Sequence, residues 1–324
     1  MMASVFGQMS HFSTPKRNRN RNMQPPIIEI KVCKHCGKYF RDSFRCGGNT
    51  FGAISFTDGK PYAPMLSFDP LFTRCPHCRG FFWARVPECI LMLDNPYERY
   101  SLSYTSARKI LEYLTRVVPN ILKAIEEIKT DFDETRLFAD KILPLPDTIL
   151  EQICQRHPEL KILREIGSLD NAESTIERFP WCPTLRIPGM FGFLNSKEVT
   201  NEKQEYTVRF EIWLTYNDRV RSALANGKTL RWCSSKFDGI VTKSAEDYER
   251  WKGNLERLQE LAEKMHPKEY LRLAEMNRHL GNFEKAAAIL EKHKTRKFAR
   301  FRNRMLEGCK DRNRYILPLE HSDD

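Results

Sequence analysis

In the stretch VCKHCGKYF, residues 32–40, Cys33 and Cys36 are separated by two residues and followed directly by a glycine. A near copy, RCPHCRGFF, follows at residues 74–82 and carries Cys75 and Cys78. A Cys-x-x-Cys turn directs both sulfurs to the same side, so two such turns supply the four thiolates of a tetrahedral metal site. The sequence therefore predicts that Cys33, Cys36, Cys75 and Cys78 bind one structural zinc ion.

The spacing between the two pairs is longer than is usual for this pattern, in which about 15–20 residues separate the pairs. Here residues 37–74 lie between them. Doubling a loop costs only about 0.6 kcal/mol, whereas structural zinc contributes roughly 10–16 kcal/mol of apparent binding free energy. The longer spacing therefore does not argue against a shared site.

Other interpretations of the cysteines stay open at this point. A redox dithiol needs a Cys-x-x-Cys at the start of a helix, whereas residues 37–40 and 79–83 have the composition of strands. Disulfides are disfavoured in a reducing compartment, and unrelated buried cysteines are a further alternative. Cys46 could replace one ligand. We interpret His35 and His77, inside the two turns, as exposed turn residues rather than ligands.

Residues 31–83 resemble a zinc ribbon, in which two cysteine knuckles are joined by short antiparallel strands. The segment GGNTFGAISFTDGKPYAPM within it is also similar to an uncharacterised bacterial protein family that carries such a ribbon. The resemblance implies a fold and no particular activity. Four thiolates would leave the metal no open position for a catalytic water.

Charge and composition limit the classes of protein. The 324 residues carry a formal net charge of +11, which favours an acidic partner, nucleic acid included. No apolar run approaches the ~18 residues of a membrane span, and residues 1–26 lack the apolar segment of a secretory signal. We expect a cytoplasmic protein with no membrane partner. The basic part of the N-terminal tail comprises Lys16, Arg17, Arg19 and Arg21.

The pattern along the chain predicts an α+β fold that is predominantly α. We expect a disordered basic tail at 1–26, a β zinc-ribbon module at 27–90, a helical region at 91–200 and a helical domain at 201–324. Within the module, IIEIKV and FFWARV are typical of strands, and Asp58-Gly59 indicates a hairpin turn. Further sequence features predict helices at 106–118, 120–129 and 144–157, and a loop or hinge at 179–194.

The C-terminal region shows helical periodicity. Residues 205–224 fit either a strand or a helix, and we favour the helix. Ser244 is a candidate N-cap for a helix that ends near 265. Residues 270–293 resemble a single tetratricopeptide repeat, which implies a helical hairpin flanked by two further helices; an ordinary hairpin is the alternative. The matching positions are Leu273, Ala274, Gly281, Phe283, Ala286 and Leu290, while Asn277 departs from the pattern.

A basic segment follows this hairpin and has two interpretations. It is either an amphipathic helix with a solvated basic face, or a surface that binds phosphate groups, with phenylalanines adding base stacking. The apolar positions are Phe298, Phe301 and Met305. The candidate nucleic-acid contacts are Lys294, Arg296, Lys297, Arg300, Arg302 and Arg304.

These observations favour a non-enzymatic, zinc-binding interaction or scaffold protein whose partner is another protein. The alternative is a nucleic-acid-binding factor that uses the ribbon and the basic segments. A third hypothesis is an enzyme with a site around PWCPTLRIPGMFG, residues 180–192. No P-loop, dinucleotide fingerprint, H-E-x-x-H or G-x-S-x-G motif is present in the sequence, so no catalytic residue is assigned.

Overall fold

A computed structural model describes residues 27–44, 50, 52–63, 69–87, 89–95, 99–102, 178–226, 230 and 239–319. The predicted tail, Cys46 and the helices predicted at 106–118, 120–129 and 144–157 lie outside the described residues.

Two sheets form the N-terminal part of the described chain. Strands β1 and β2 are antiparallel and flank the first cysteine pair, while β3 and β4 are antiparallel and flank the second. The larger sheet has the strand order β2–β1–β5–β6. The expected strand at IIEIKV is confirmed, and of FFWARV only Phe81–Trp83 forms a strand. The strands are β1 Ile27–Val32, β2 Tyr39–Phe44, β3 Phe72–Arg74, β4 Phe81–Trp83, β5 Cys89–Asn95 and β6 Arg99–Leu102.

The region after residue 90 begins differently from the prediction. Strand β5 crosses this position and pairs antiparallel with β1, and β6 pairs with β5. The helical assignment at the start of 91–200 is therefore wrong. The apolar run CILML is too short to show helical periodicity, and pairing with the apolar strand β1 fixes it as a strand.

Helices make up the C-terminal part. The helix favoured for residues 205–224 is confirmed as α2, and the Asn201 side chain caps it by accepting from the Gln204 N–H. The Ser244 cap is also confirmed, because its side chain accepts from the Asp247 N–H at the start of α3. The helices are α1 Ile187–Leu194, α2 Glu202–Ala225, α3 Ala245–Met265, α4 Tyr270–Leu280, α5 Phe283–Lys292 and α6 Ala299–Lys310, with a 3-10 turn at Arg296–Phe298.

The prediction of a loop or hinge at 179–194 is wrong in its second half, which forms α1. Pro188 lies in the first turn of this helix, where a missing N–H is tolerated. Its first half is docked, since the Arg41 N–H donates to the Pro180 carbonyl and the Cys182 N–H donates to the Arg41 carbonyl. The segment therefore lies along β2.

The helical hairpin α4–α5 is present, with α3 and α6 packed against it as expected. Gly281 ends α4 with φ of +89°, a conformation that favours glycine. Ala274 and Ala286 are fully buried, which lets the helices approach closely.

A shared core joins the small sheet to the helices. Phe72 of β3 stacks on Phe193 of α1 with ring centroids 4.5 Å apart, and Trp83 of β4 meets the same ring edge-on. Val208, Ile212 and other buried residues of α2 belong to this cluster. Among the described helices, none has the length and apolar character that crossing a bilayer requires.

Candidate metal centre

The four cysteines predicted as ligands lie together. Their sulfur atoms are all within 4.8 Å of one another. The Sγ atoms of Cys33 and Cys78 are 3.8 Å apart, as are those of Cys36 and Cys75. The close contacts thus run between the two turns and form one cluster.

The two turns have the same backbone geometry. The Gly37 N–H donates to the Cys33 carbonyl at 2.8 Å, and the Arg79 N–H donates to the Cys75 carbonyl at 3.0 Å. Both donors have positive φ, +67° at Gly37 and +61° at Arg79. In each turn the N–H two residues after the first cysteine also donates to its sulfur at 3.4 Å. Such donors stabilise thiolate charge.

His35 and His77 are exposed, as expected, and each connects its own turn to the other one. Nε2 of His35 donates to the Phe81 carbonyl at 3.1 Å, and Nε2 of His77 donates to the Tyr39 carbonyl at 2.8 Å. Gly80 makes room for this, since a Cβ there would lie 2.9 Å from the His35 ring. The histidines thus hold the two turns face to face.

The inner side of the cluster is apolar. Cys33 and Cys75 are buried with Phe40 and Phe82, whose rings lie 5.5 Å apart. Burial raises the pKa of the Cys33 thiol to about 12. A bound metal ion would reverse this effect, because coordination deprotonates a thiol. Cys182 packs against the same apolar cluster but is not one of the four grouped sulfurs.

The segment between the two cysteine pairs enters the helical region. A turn forms one residue earlier than the predicted Asp58-Gly59, since the Gly59 N–H donates to the Phe56 carbonyl and Thr57 and Asp58 are the central residues. Asp58 is buried, and its Oδ2 accepts from the Asn217 amide at 2.9 Å and from the Arg221 guanidinium. Arg221 is 1% exposed, so a buried charge of α2 has one counterion on this loop and a second, Asp218, in its own helix.

Thr57 makes the second connection. Its hydroxyl donates to the Glu275 carboxylate and accepts from the Leu317 N–H at 3.0 Å. Glu275 is fully buried and also accepts from Nε and Nη2 of Arg278, at 2.8 and 2.6 Å. Burial alone would raise the pKa of Glu275, but Arg278 and His279 lower it below its usual range.

His279 lies next to this carboxylate and is held neutral. Nε1 of Trp213 donates to Nδ1 of His279 at 3.0 Å, so Nδ1 must be an acceptor. Nε2 lies 3.3 Å from Glu275. Burial lowers the pKa of His279, outweighing the attraction of Glu275. The ring therefore joins a buried polar network through Nδ1, while its Nε2 faces Glu275 without a hydrogen bond. Sequence analysis did not predict this network, and the Asp58-Gly59 turn was the only local signal in the segment that reaches it.

The six candidate nucleic-acid contacts fall into two groups. Arg302 and Arg304 are half-buried: Arg302 bonds Asn303, and Arg304 bonds the Pro318 carbonyl and Glu307. Met305 is buried, and Phe298 and Phe301 pack against the α4–α5 hairpin. The exposed group is Lys294, Arg296, Lys297 and Arg300.

No family model, curated protein or solved structure matches the chain. The resemblances to a zinc ribbon and to a tetratricopeptide repeat therefore rest on the residues alone. The structure contains a cysteine cluster that could hold a metal ion, and a helical hairpin.

Proposed function

We propose that the four cysteines hold a structural zinc ion and that the protein is a non-enzymatic interaction scaffold. The observation that carries this is the separation of 3.8 Å between sulfurs of opposite turns. A tetrahedron with Zn–S bonds of about 2.3 Å has an edge of about 3.8 Å. Thiolates are soft ligands that favour zinc over hard cations, and four of them complete its coordination.

The role of this zinc ion is to fix the loop that carries Thr57 and Asp58. Both residues lie between the two cysteine pairs, and both supply partners to buried charges of the helices. Losing one partner of a buried ion pair costs about 3–5 kcal/mol. The metal thereby stabilises the helical region, whose outer surface is left to bind a protein partner. We include in this proposal that the β part is a zinc ribbon and that the α4–α5 hairpin is a tetratricopeptide repeat.

The test compares two cysteine variants of the full chain. We expect wild type and Cys182→Ser to purify with about one zinc per chain, and Cys33→Ser to lose it. Helix unfolding, followed by far-UV circular dichroism, should then begin about 10 °C lower in Cys33→Ser and in chelator-treated wild type. Cys182→Ser is the matched control, because it removes a neighbouring thiol outside the cluster.

Two results would overturn the proposal. One is a metal-free wild type whose stability is unchanged by added zinc. The other is a Cys33→Ser variant whose helices unfold at the wild-type temperature. The scaffold role is tested by affinity purification from the source cells, where the zinc-loaded protein should retain a protein partner that Cys33→Ser does not.

A further inference from the structure

The start of α6 concentrates exposed positive charge. We call Lys294, Arg296, Lys297 and Arg300 the cationic segment. All four side chains are exposed. Within the ranges that the structure describes, none of them forms an ion pair; Lys297 lies over the Phe298 ring at 5.4 Å. There is no acidic residue in the first turn of α6 or in the 3-10 turn before it.

Several exposed cations elsewhere on the helical surface are paired with carboxylates, although Lys203, Lys268 and Lys310 have no ion pair within the described residues. Lys264 lies 2.6 Å from Glu202, and Lys285 lies 3.2 Å from Glu263. Arg250 and Lys252 are paired in the same way within α3. The cationic segment places four exposed cations within residues 294–300, where the sequence has no acidic residue, and such a concentration of positive charge attracts polyanions.

The geometry limits what this patch can contact. Arg296 lies in the 3-10 turn and Arg300 in the first turn of α6, so the cations are spread over two short, successive helical elements. Phe298 and Phe301 pack against the hairpin, and Met305 is 1% exposed. The two rings that base stacking would require are therefore partly buried in this packing, so charge dominates the exposed surface of the segment.

We propose that the cationic segment binds the phosphodiester backbone of a nucleic acid without reading its sequence. It adds a nucleic-acid partner to the proposed interaction scaffold and uses a surface separate from the cysteine cluster. A phosphate polymer fits because guanidinium and ammonium groups are its usual partners. Since bases are not stacked, RNA and DNA of different sequence should bind with similar affinity.

An anionic membrane fits less well. A helix that lies on a membrane needs an exposed apolar face beside its cations, and the apolar face of α6 is packed inward. In the described ranges, the exposed large apolar side chains are Leu71, Val86 and Trp181, none of which lies in this segment.

The test measures binding of the zinc-loaded full chain to fluorescent RNA and DNA of about 20 nucleotides, single-stranded and duplex. Four phosphate contacts predict that affinity falls about 50-fold for single strands and about 150-fold for duplexes between about 50 and 200 mM salt. Replacing the cationic segment by Lys294→Gln, Arg296→Gln, Lys297→Gln and Arg300→Gln should abolish most of this salt dependence.

Two charge-matched variants are the controls. The first carries Arg250→Gln, Lys252→Gln, Lys264→Gln and Lys285→Gln, which removes four paired cations. The second carries Lys16→Gln, Arg17→Gln, Arg19→Gln and Arg21→Gln in the N-terminal tail. Both should keep the wild-type salt dependence. Zinc content and unfolding temperature are measured for every variant, so a failure of the metal proposal is recognised separately.

Four outcomes would overturn the proposal, and three of them concern binding itself. These are no binding at low salt, an equal loss of binding in either control variant, and binding to vesicles containing phosphatidylserine without binding to nucleic acid. A strong preference for one sequence would also contradict backbone recognition.

Discussion

The Asp58 carboxylate lies inside the protein, where it accepts from Arg221 and Asn217 of α2. A turn with Asp-Gly normally faces solvent, and the sequence gives no other reason to bury this residue. The burial is tolerated because the guanidinium of Arg221, itself 1% exposed, compensates the charge. At the scale of single residues, the loop between the cysteine pairs is thus part of the helical core.

We expect Asp58→Ala to lower the free energy of unfolding by at most about 3–5 kcal/mol, because it leaves Arg221 buried with only the exposed Asp218 as its counterion. Chemical denaturation followed by circular dichroism measures the change. Glu246→Ala is the matched control; it removes an exposed partner of Arg250 and should change stability by less than about 0.5 kcal/mol. Equal effects of the two substitutions would show that the buried Asp58–Arg221 pair stabilises the protein no more than an exposed ion pair does.

The hairpin α4–α5 depends on small residues at its contact surfaces. Ala274 packs with Leu271, Leu290 and Met305, while Ala286 packs with Phe283 and Cys309. Both alanines are 0% exposed. A larger side chain at either position would push helices apart, so the element is fixed by volume as well as by its turn at Gly281.

We expect Ala286→Leu to destabilise the protein by about 1–3 kcal/mol, since it overpacks a filled contact between helices. Ala288→Leu makes the same change on the exposed side of α5 and is the control; it should stay within about 0.5 kcal/mol of wild type. Denaturant midpoints of both variants test this. A neutral Ala286→Leu would mean that α5 and α6 pack less tightly than described.

The whole molecule combines a β part that carries the cysteine cluster and a helical part, and one hydrophobic cluster contains residues of both. Phe72 and Trp83 of the small sheet contact Phe193 of α1. The loop with Thr57 and Asp58 reaches α2 and α4 beyond them. Charges that are buried in this way make the stability of the entire protein depend on pH.

We expect acid to destabilise the protein from about pH 6.5 downward. Burial lowers the pKa of His279 from 6.5, so the unfolded chain takes up a proton that the folded chain does not, and stability falls with pH. The slope from one such group is at most about 1.4 kcal/mol per pH unit. Glu275, with its lowered pKa, adds a further loss below about pH 4.5.

The measurement is the unfolding free energy of wild type and His279→Gln between about pH 5 and 8. Acid also weakens thiolate–metal bonds, but both proteins share that effect, so the difference between them isolates His279. We expect the variant to show a flatter dependence above pH 5. Parallel curves would mean that His279 has the same pKa in the folded and unfolded chains.

The sequence alone determined the elements whose signals are local. The strand at IIEIKV, the Ser244 cap, the turn at Gly281 and the pairing of Cys33 and Cys36 with Cys75 and Cys78 follow from backbone propensity and residue spacing, and the structure contains each of them. One local signal gave a wrong prediction. The prolines and glycines at 179–194 indicated a loop, but its second half is a helix, because Pro188 lies in the first turn, where a helix tolerates proline.

Only the tertiary structure decided which charges are buried and which are free. Asp58 and Glu275 are acidic residues like many others in the sequence, and their burial arises from partners far along the chain. Among the six basic residues after the hairpin, packing engaged Arg302 and Arg304 and left the cationic segment exposed. The physical reason is that the desolvation and pairing of a charge depend on neighbours in space, which spacing along the chain does not specify.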